Sequence, residues 1–265
     1  MMRILSAEFK RAINVWCILG ILGTIFSICF DSWNDLCMGL QSGEGYDVYY
    51  FFENSAFGGM CRVYFLPVFA ALPFASSFSI ERRDRSVSYI ITREGKKQYG
   101  IVKYIVNVLS GGMVVAAGTA ILLFVLSMKF PMADQEIGDV QVADMFHGWI
   151  AVYHPWIYCA VEVILGFCRG MIWSGIALLV SIYVEDPFVV IVSPYMVNYA
   201  FIQFCRLIQV DNQHRFDMIL IGRTVIRSSL CTTAIALIGT GIIVLTVGVI
   251  FAKKIIRGME DGSIC

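Results

Sequence analysis

Side chains able to do chemistry are few in this chain, and they fall in two places. One is Glu162 and Arg169, in the apolar run VEVILGFCRGMIW. The other is the charged stretch from Glu81 to Lys103, ERRDRSVSYIITREGKKQYGIVK. Glu162 and Arg169 stand two helical turns apart on a similar face. A charge deep in lipid is costly, so Arg169 is expected to face a bundle interior, a polar cavity or a partner carboxylate, with Glu162 the natural candidate. Such a pair serves a translocation path or a lock between helices. If the apolar span begins later, Arg169 instead snorkels to the outer interface. Neither place has the pattern of a catalytic centre. Gly95-Lys96-Lys97 lacks the leading Gly and the hydroxyl residue of a P-loop, and there is no H-E-x-x-H or G-x-S-x-G. His147, His154 and His214 are far apart, and no Cys or His spacing suggests a metal site. No enzyme activity and no cofactor held by this chain are expected.

The elements that position these residues are read from composition. The chain is 58% hydrophobic and 15% charged, with a mean hydropathy of +0.74, against about 25% charged residues in soluble domains. Net charge is zero, which gives no case for nucleic acid. An all-α integral membrane protein follows, with 1–265 as one transmembrane domain. A spanning helix needs about 20 mostly apolar residues, and six stretches qualify: about 12–30, 62–80, 104–128, 161–184, 187–205 and 229–252. The first is too long for a signal-peptide core and has no cleavage site after it, so it is read as a retained span.

Charge orients the connections. Arg3, Lys10 and Arg11 precede the first span, and Lys253, Lys254 and Arg257 follow the sixth. The 81–103 stretch holds Arg82, Arg83, Arg85, Arg93, Lys96, Lys97 and Lys103. These go inside, because Lys and Arg near a span resist translocation. Asp31–Cys61 has no Lys or Arg, and Lys129–Ala160 has one Lys against Asp134, Glu136, Asp139 and Asp144, so both go outside. Glu185–Asp186 is a tight inner turn. The 206–227 connection fits badly, since parity puts it outside while Arg206, Arg215, Arg223 and Arg227 argue for inside. Either it is a re-entrant hairpin with Ile219, Leu220 and Ile221 dipping into the bilayer, or span four or five is not a full crossing. The basic tail favours the first. The expected location is the cell membrane, multi-pass, with both termini cytoplasmic. The lack of an N-x-[ST] sequon fits a bacterial protein.

As a helix, the charged stretch places Val87, Ile90 and Ile91 on one face and Arg85, Ser88, Tyr89 and Thr92 on the other. A short amphipathic helix lying on the membrane or docking into a partner has this pattern. Gly166, Gly170 and Ser174 form a small-residue seam on span four, and Gly112, Ala116 and Ala120 another on span three. Either seam serves packing within one subunit or a dimer interface. Pro67, Pro73 and Pro194 interrupt helical bonding in spans two and five. Cys37 and Cys61 share an outer connection and are either bonded or free. Aromatic YDVYYFFENSAF and FHGWIAVYHPW are expected near the headgroups.

This order of elements resembles the membrane subunit of ABC-2 type (type V exporter-like) ABC transporters. The resemblance rests on EFKRA before span one, SSFSIERRDRSVSYIITREGKKQYGIVK after span two, and FAKKIIRGMEDG after span six. In that family a Glu closes span two, a patch with Arg follows, and a Lys leads into span three. Glu81, Arg93 and Lys103 take those places, and Ser181 and Pro194 are similar to a Ser and a Pro of spans four and five. Ser86 stands where many members have Gly, and Ile91-Thr92-Arg93 replaces a Pro-x-Ser-Arg turn. The resemblance implies that Glu81 to Arg93, with Arg82, Arg83, Arg85, Val87, Tyr89, Ile90 and Ile91, is a coupling helix docking into a separate ATP-binding subunit. That subunit would bind ATP and Mg, and a second copy or a sister permease would complete a dimer. From the residues alone, a self-contained secondary transporter or channel and a non-transport sensor subunit remain open.

Overall fold

The computed structural model describes residues 2–42, 46–132, 153–211, 214–221 and 228–260. These residues form helices and their connections, with no strand among them. In chain order the helices are α1 Met2–Ala12, α2 Val15–Asp31, α3 Trp33–Ser42, α4 Val48–Gly58, α5 Met60–Tyr64, α6 Leu66–Ala71, α7 Ser77–Arg83, α8 Val87–Glu94, α9 Lys96–Ser127, α10 Pro155–Val180, α11 Pro187–Leu207, α12 Phe216–Ile221 and α13 Ser229–Glu260.

Local chemistry sets many of these boundaries. Asn14 caps α2 by accepting from the Cys17 amide at 3.2 Å, and Asp47 caps α4 through the Tyr50 amide at 2.6 Å. Asp186 caps α11 with Pro187 following it; Pro is favoured at a first helical position, where its missing N–H has no intrahelical partner to lose. Asp31, at the end of α2, reaches across to α5 and accepts from the amides of Cys61 at 3.0 Å and Arg62 at 2.8 Å. Asp31 thus closes the end of α2 onto the start of α5.

Among the described residues, four helices are long and apolar enough to cross a membrane: Lys97–Ser127, Pro155–Val180, Pro187–Leu207 and Leu230–Gly258. Many of their apolar side chains point outward, Leu230 and Leu245 among them. An outward apolar surface of this kind belongs against lipid or another apolar surface. Two of the six expected spans differ from continuous helices. Of the expected first span 12–30, Ala12 ends α1 and residues from Val15 belong to α2, with a 56° bend between the two helices; taken as one broken span, the pair makes a fifth. Residues 62–80 are divided among α5, α6 and α7. Pro67 lies in the first turn of α6, and Pro73 lies in the turn at 72–76. Each removes an amide that a continuous helix would use. The fourth span begins at Pro155, earlier than expected, and the last continues through its basic tail to Glu260.

The long helix α9 is the hub, packing on α10, α2, α13 and α1. The two small-residue seams meet each other inside one subunit. A Cβ on Gly170 would lie 2.4 Å from the Gly111 carbonyl oxygen, and one on Gly112 would lie 2.8 Å from the Phe167 ring. Gly166 faces Thr119, and Asn107 donates to the Ser174 carbonyl at 2.6 Å across the same contact. Gly111 belongs to this seam, whereas Ala116 is only half-buried.

The connections gather at two ends. At one end α3 and α4 fold over the bundle. Phe51 and Phe52 are buried with Ile28, Leu122 and Leu126, and the Tyr49 ring packs at a tilt against Tyr158, 5.1 Å between centroids. The aromatic run expected at the headgroups is therefore largely core, with Tyr50 outward. Cys37 and Cys61 are free thiols. The short helix α12 returns into the bundle and buries Ile219, Leu220 and Ile221 beside α10 and α13. Residues 133–152, with His147 and the acids of that connection, and Arg223 and Arg227 lie outside the described residues. At the other end α1, α7, α8, the 181–186 turn and the tail of α13 come together.

Candidate functional site

The charged stretch folds into a helical hairpin whose turn is set by α7, α8 and the start of α9. Glu81 closes α7 and is turned inward, 3% exposed. One carboxylate oxygen accepts from Lys103 Nζ at 2.6 Å and from Arg11 Nη1 at 2.8 Å. The other accepts from the Tyr99 hydroxyl at 2.5 Å. Glu8 completes the group, pairing with Arg11 at 2.9 Å and Lys103 at 3.4 Å. Lys103 also lies over the Phe74 ring, 4.8 Å from its centroid. Two carboxylates and two cations from α1, α7 and α9 thus balance in a knot that is buried at Glu81, Lys103 and Glu8, with the Arg11 side chain reaching in from the surface. Burial alone would raise the Glu81 carboxyl, but Lys103, Tyr99 and Arg11 outweigh it and hold it below the usual carboxylate range.

The expected apolar face of α8 is realised, while the Ser88 and Thr92 side chains lie outside the described ones. Val87 and Ile91 are buried and Ile90 packs beside them on Phe78, Tyr99, Leu178, Ile182, Phe251 and Ile255. Their face is therefore occupied by the chain's own core. What remains for another molecule is the opposite side, where Tyr89 is 79% exposed and Arg83 and Arg85 are exposed. Arg82 is not part of that face: its guanidinium donates to the Ile182 carbonyl at 2.7 Å and pairs with Glu185 at 3.2 Å, tying α7 to the 181–186 turn. The Arg93 side chain lies outside the described ones. Of the docking residues expected from sequence, Glu81, Val87 and Ile91 face inward and Arg82 holds a neighbouring turn; the outward set is Arg83, Arg85 and Tyr89.

The turn between α7 and α8 holds Arg85 at φ +53°. This left-handed conformation suits Gly and is unfavourable for a residue with a Cβ. Arg85→Gly is expected to raise stability by roughly 1 kcal/mol, read as a higher midpoint in thermal unfolding of the detergent-solubilised protein. No rise would show that the turn carries no strain.

A second charged group lies toward the other end. Arg169 is 4% exposed, midway along α10, and so faces the bundle interior. Its Nη2 lies 3.8 Å from Glu162 Oε2. The closer partner of that oxygen is Arg62 of α5, at 3.1 Å. Arg62 is itself 2% exposed and donates to the Phe52 carbonyl at 2.8 Å and the Ser55 hydroxyl at 2.9 Å. The expected pair is therefore a triad of two guanidiniums on one carboxylate.

Sequence reading missed Arg62, Glu8, Arg11 and Tyr99 as members of these groups. Arg62 was visible as a lone basic residue after an acidic, Lys- and Arg-free outer connection. Glu8 and Arg11 stand three apart, on one face of α1. Nothing local marks Tyr99. Comparison of the chain with protein-family models, with curated proteins and with solved structures finds no match.

Proposed function

We propose that this chain is the membrane permease subunit of an ABC exporter in a bacterial cell membrane, driven by ATP hydrolysed on a separate subunit. The observation that carries this reading is the 77–103 hairpin. It is closed on itself by the buried Glu81–Lys103 pair, tied to α1 through Arg11 and Glu8, and presents Arg83, Arg85 and Tyr89 outward at the basic end. A docking element that transmits force needs this combination of an anchored inner face and an exposed polar outer face. Arg82, bonded to the Ile182 carbonyl, and Lys254, over the Tyr183 ring at 5.6 Å, link the hairpin region and the last helix to the α10–α11 turn. A push on α8 would reach α9, α10 and α13 together.

In this reading α2 and the broken α5–α6 segment complete a six-span subunit with α9, α10, α11 and α13. Both termini lie in the cytoplasm with the basic end, and a second copy or sister permease forms a dimer. ATP and Mg belong to the partner.

The test is co-purification with the products of neighbouring genes. The double variant Arg83→Glu/Arg85→Glu leaves Arg82 and the buried knot intact. It is expected to lose at least tenfold of a co-purifying ATP-binding subunit while the permease still inserts. Full retention of that partner would sink the coupling role. The buried Arg62–Glu162–Arg169 triad is the one feature favouring a self-contained transporter; ion-driven flux in vesicles lacking ATP would replace the exporter reading with that one.

A further inference from the structure

The triad carries an imbalance that its protein contacts leave open. Arginine stays protonated in proteins, so Arg62 and Arg169 bring two positive charges to the single carboxylate of Glu162. Three guanidinium nitrogens, Arg62 Nε, Arg169 Nε and Arg169 Nη1, are buried without a hydrogen-bond partner among the described residues. Both side chains line a cavity of about 30 Å³, together with Asn198, Asp217, Trp173 and Pro67. Asp217 does not supply the missing charge. Its two oxygens accept from Arg215 at 3.2 and 2.7 Å, so that pair is already neutral. Asn198 donates to the Val63 carbonyl at 2.8 Å and leaves its own Oδ1 unpaired.

An uncompensated cation inside a bundle is unfavourable, and burying N–H groups without acceptors adds to that cost. Both are relieved by one negative charge that accepts several hydrogen bonds. The space selects its size. A cavity holds one water in about 10–15 Å³, so this one admits a monatomic ion with a single water and excludes a nucleotide or a phospholipid headgroup. The unpaired Asn198 oxygen needs a donor, which the accompanying water provides.

We propose that the Arg62–Arg169 cavity binds one small monatomic anion of the halide class. The ion neutralises the triad and joins α5, α10 and α11, the helices carrying Arg62, Arg169 and Asn198. The site does not depend on the exporter reading, and its test reads neither an ATPase nor flux.

The protein is purified in detergent and unfolded by heat in sodium chloride, sodium bromide or sodium gluconate at matched ionic strength. Above the dissociation constant, the midpoint is expected to rise by roughly 5–10 °C per hundredfold increase in chloride or bromide. Gluconate, too large for the cavity, gives no such rise. Arg169→Gln makes the local charge neutral and is expected to abolish the halide dependence. Should that variant not fold, the wild-type protein crystallised in bromide decides the matter: an anomalous peak within hydrogen-bond distance of the Arg169 guanidinium supports the site. A midpoint indifferent to the anion, a halide dependence that survives Arg169→Gln, or bromide-grown crystals with only water in the cavity each overturn it.

Discussion

Glu81→Ala is expected to destabilise the protein by about 3–5 kcal/mol, enough to lower its yield sharply. Removing one partner of a buried ion pair leaves the other charge without compensation. Here the orphan is Lys103, 1% exposed, with only Glu8 at 3.4 Å left to it. The Tyr99 hydroxyl and Arg11 lose an acceptor as well. Unfolding in SDS or denaturant measures the loss. Paired replacement, Glu81→Leu with Lys103→Met, should recover much of it, since two apolar groups leave no stranded charge. If Glu81→Ala and the double variant were equally unstable, the knot would not act as a charge pair.

The same carboxylate fixes a pH dependence. Its folded pKa is depressed, so its contribution is fully present above the ordinary carboxylate range and fades as pH falls through the folded value. The wild-type protein should therefore lose stability on acidification below that range. Glu81→Gln, which has no charge to lose there, should show a flatter profile. Equal slopes would assign the acid sensitivity to other carboxylates.

The second large effect is expected at the α9–α10 contact. A methyl group on Gly170 would sit 2.4 Å from the Gly111 carbonyl oxygen and 2.8 Å from the Gly112 Cα. Both are backbone atoms of the facing helix α9, so relief requires the helices to separate. Overpacking of this kind costs about 1–3 kcal/mol for Gly170→Ala, and Gly170→Val is expected to prevent assembly of the bundle. Gly241 on α13 supplies the control, since nothing lies within 4 Å of its added Cβ. Gly241→Ala should be neutral or stabilising by up to about 1 kcal/mol. The comparison needs only unfolding midpoints and detergent-extracted yields. Similar behaviour of Gly170→Ala and Gly241→Ala would show that the seam is not close-packed.

How far the sequence reveals this arrangement depends on the range of each interaction. The face of Val87, Ile90 and Ile91 is legible because helical period is a local property. The occupant of that face is not, because Phe251 and Ile255 arrive from the far end of the chain. The positions of Glu81 and Lys103 suggest a functional segment through a family resemblance, but only the fold turns both inward and joins them. Glu162 is legible as a partner for Arg169 because both lie on one helix. Arg62 is hidden because it reaches Glu162 across 100 residues of sequence. The expected second span fails as a continuous helix for a reason present in its own residues: Pro67 and Pro73 fall where amide hydrogen bonds would have to continue. Apolar length alone does not register that loss.

The separation between Arg62 and Glu162 has a consequence for how the chain is made. Bacterial and other ribosomes add about 5–20 residues per second, so Arg62 emerges roughly 5–20 s before the carboxylate that neutralises it. During that interval the nascent segment cannot settle deep in lipid with its charge unpaired. Until α10 is made, the Arg62 guanidinium has the Phe52 carbonyl and the Ser55 hydroxyl but no carboxylate, so a chain that ends after α9 carries an unneutralised arginine that the finished chain buries.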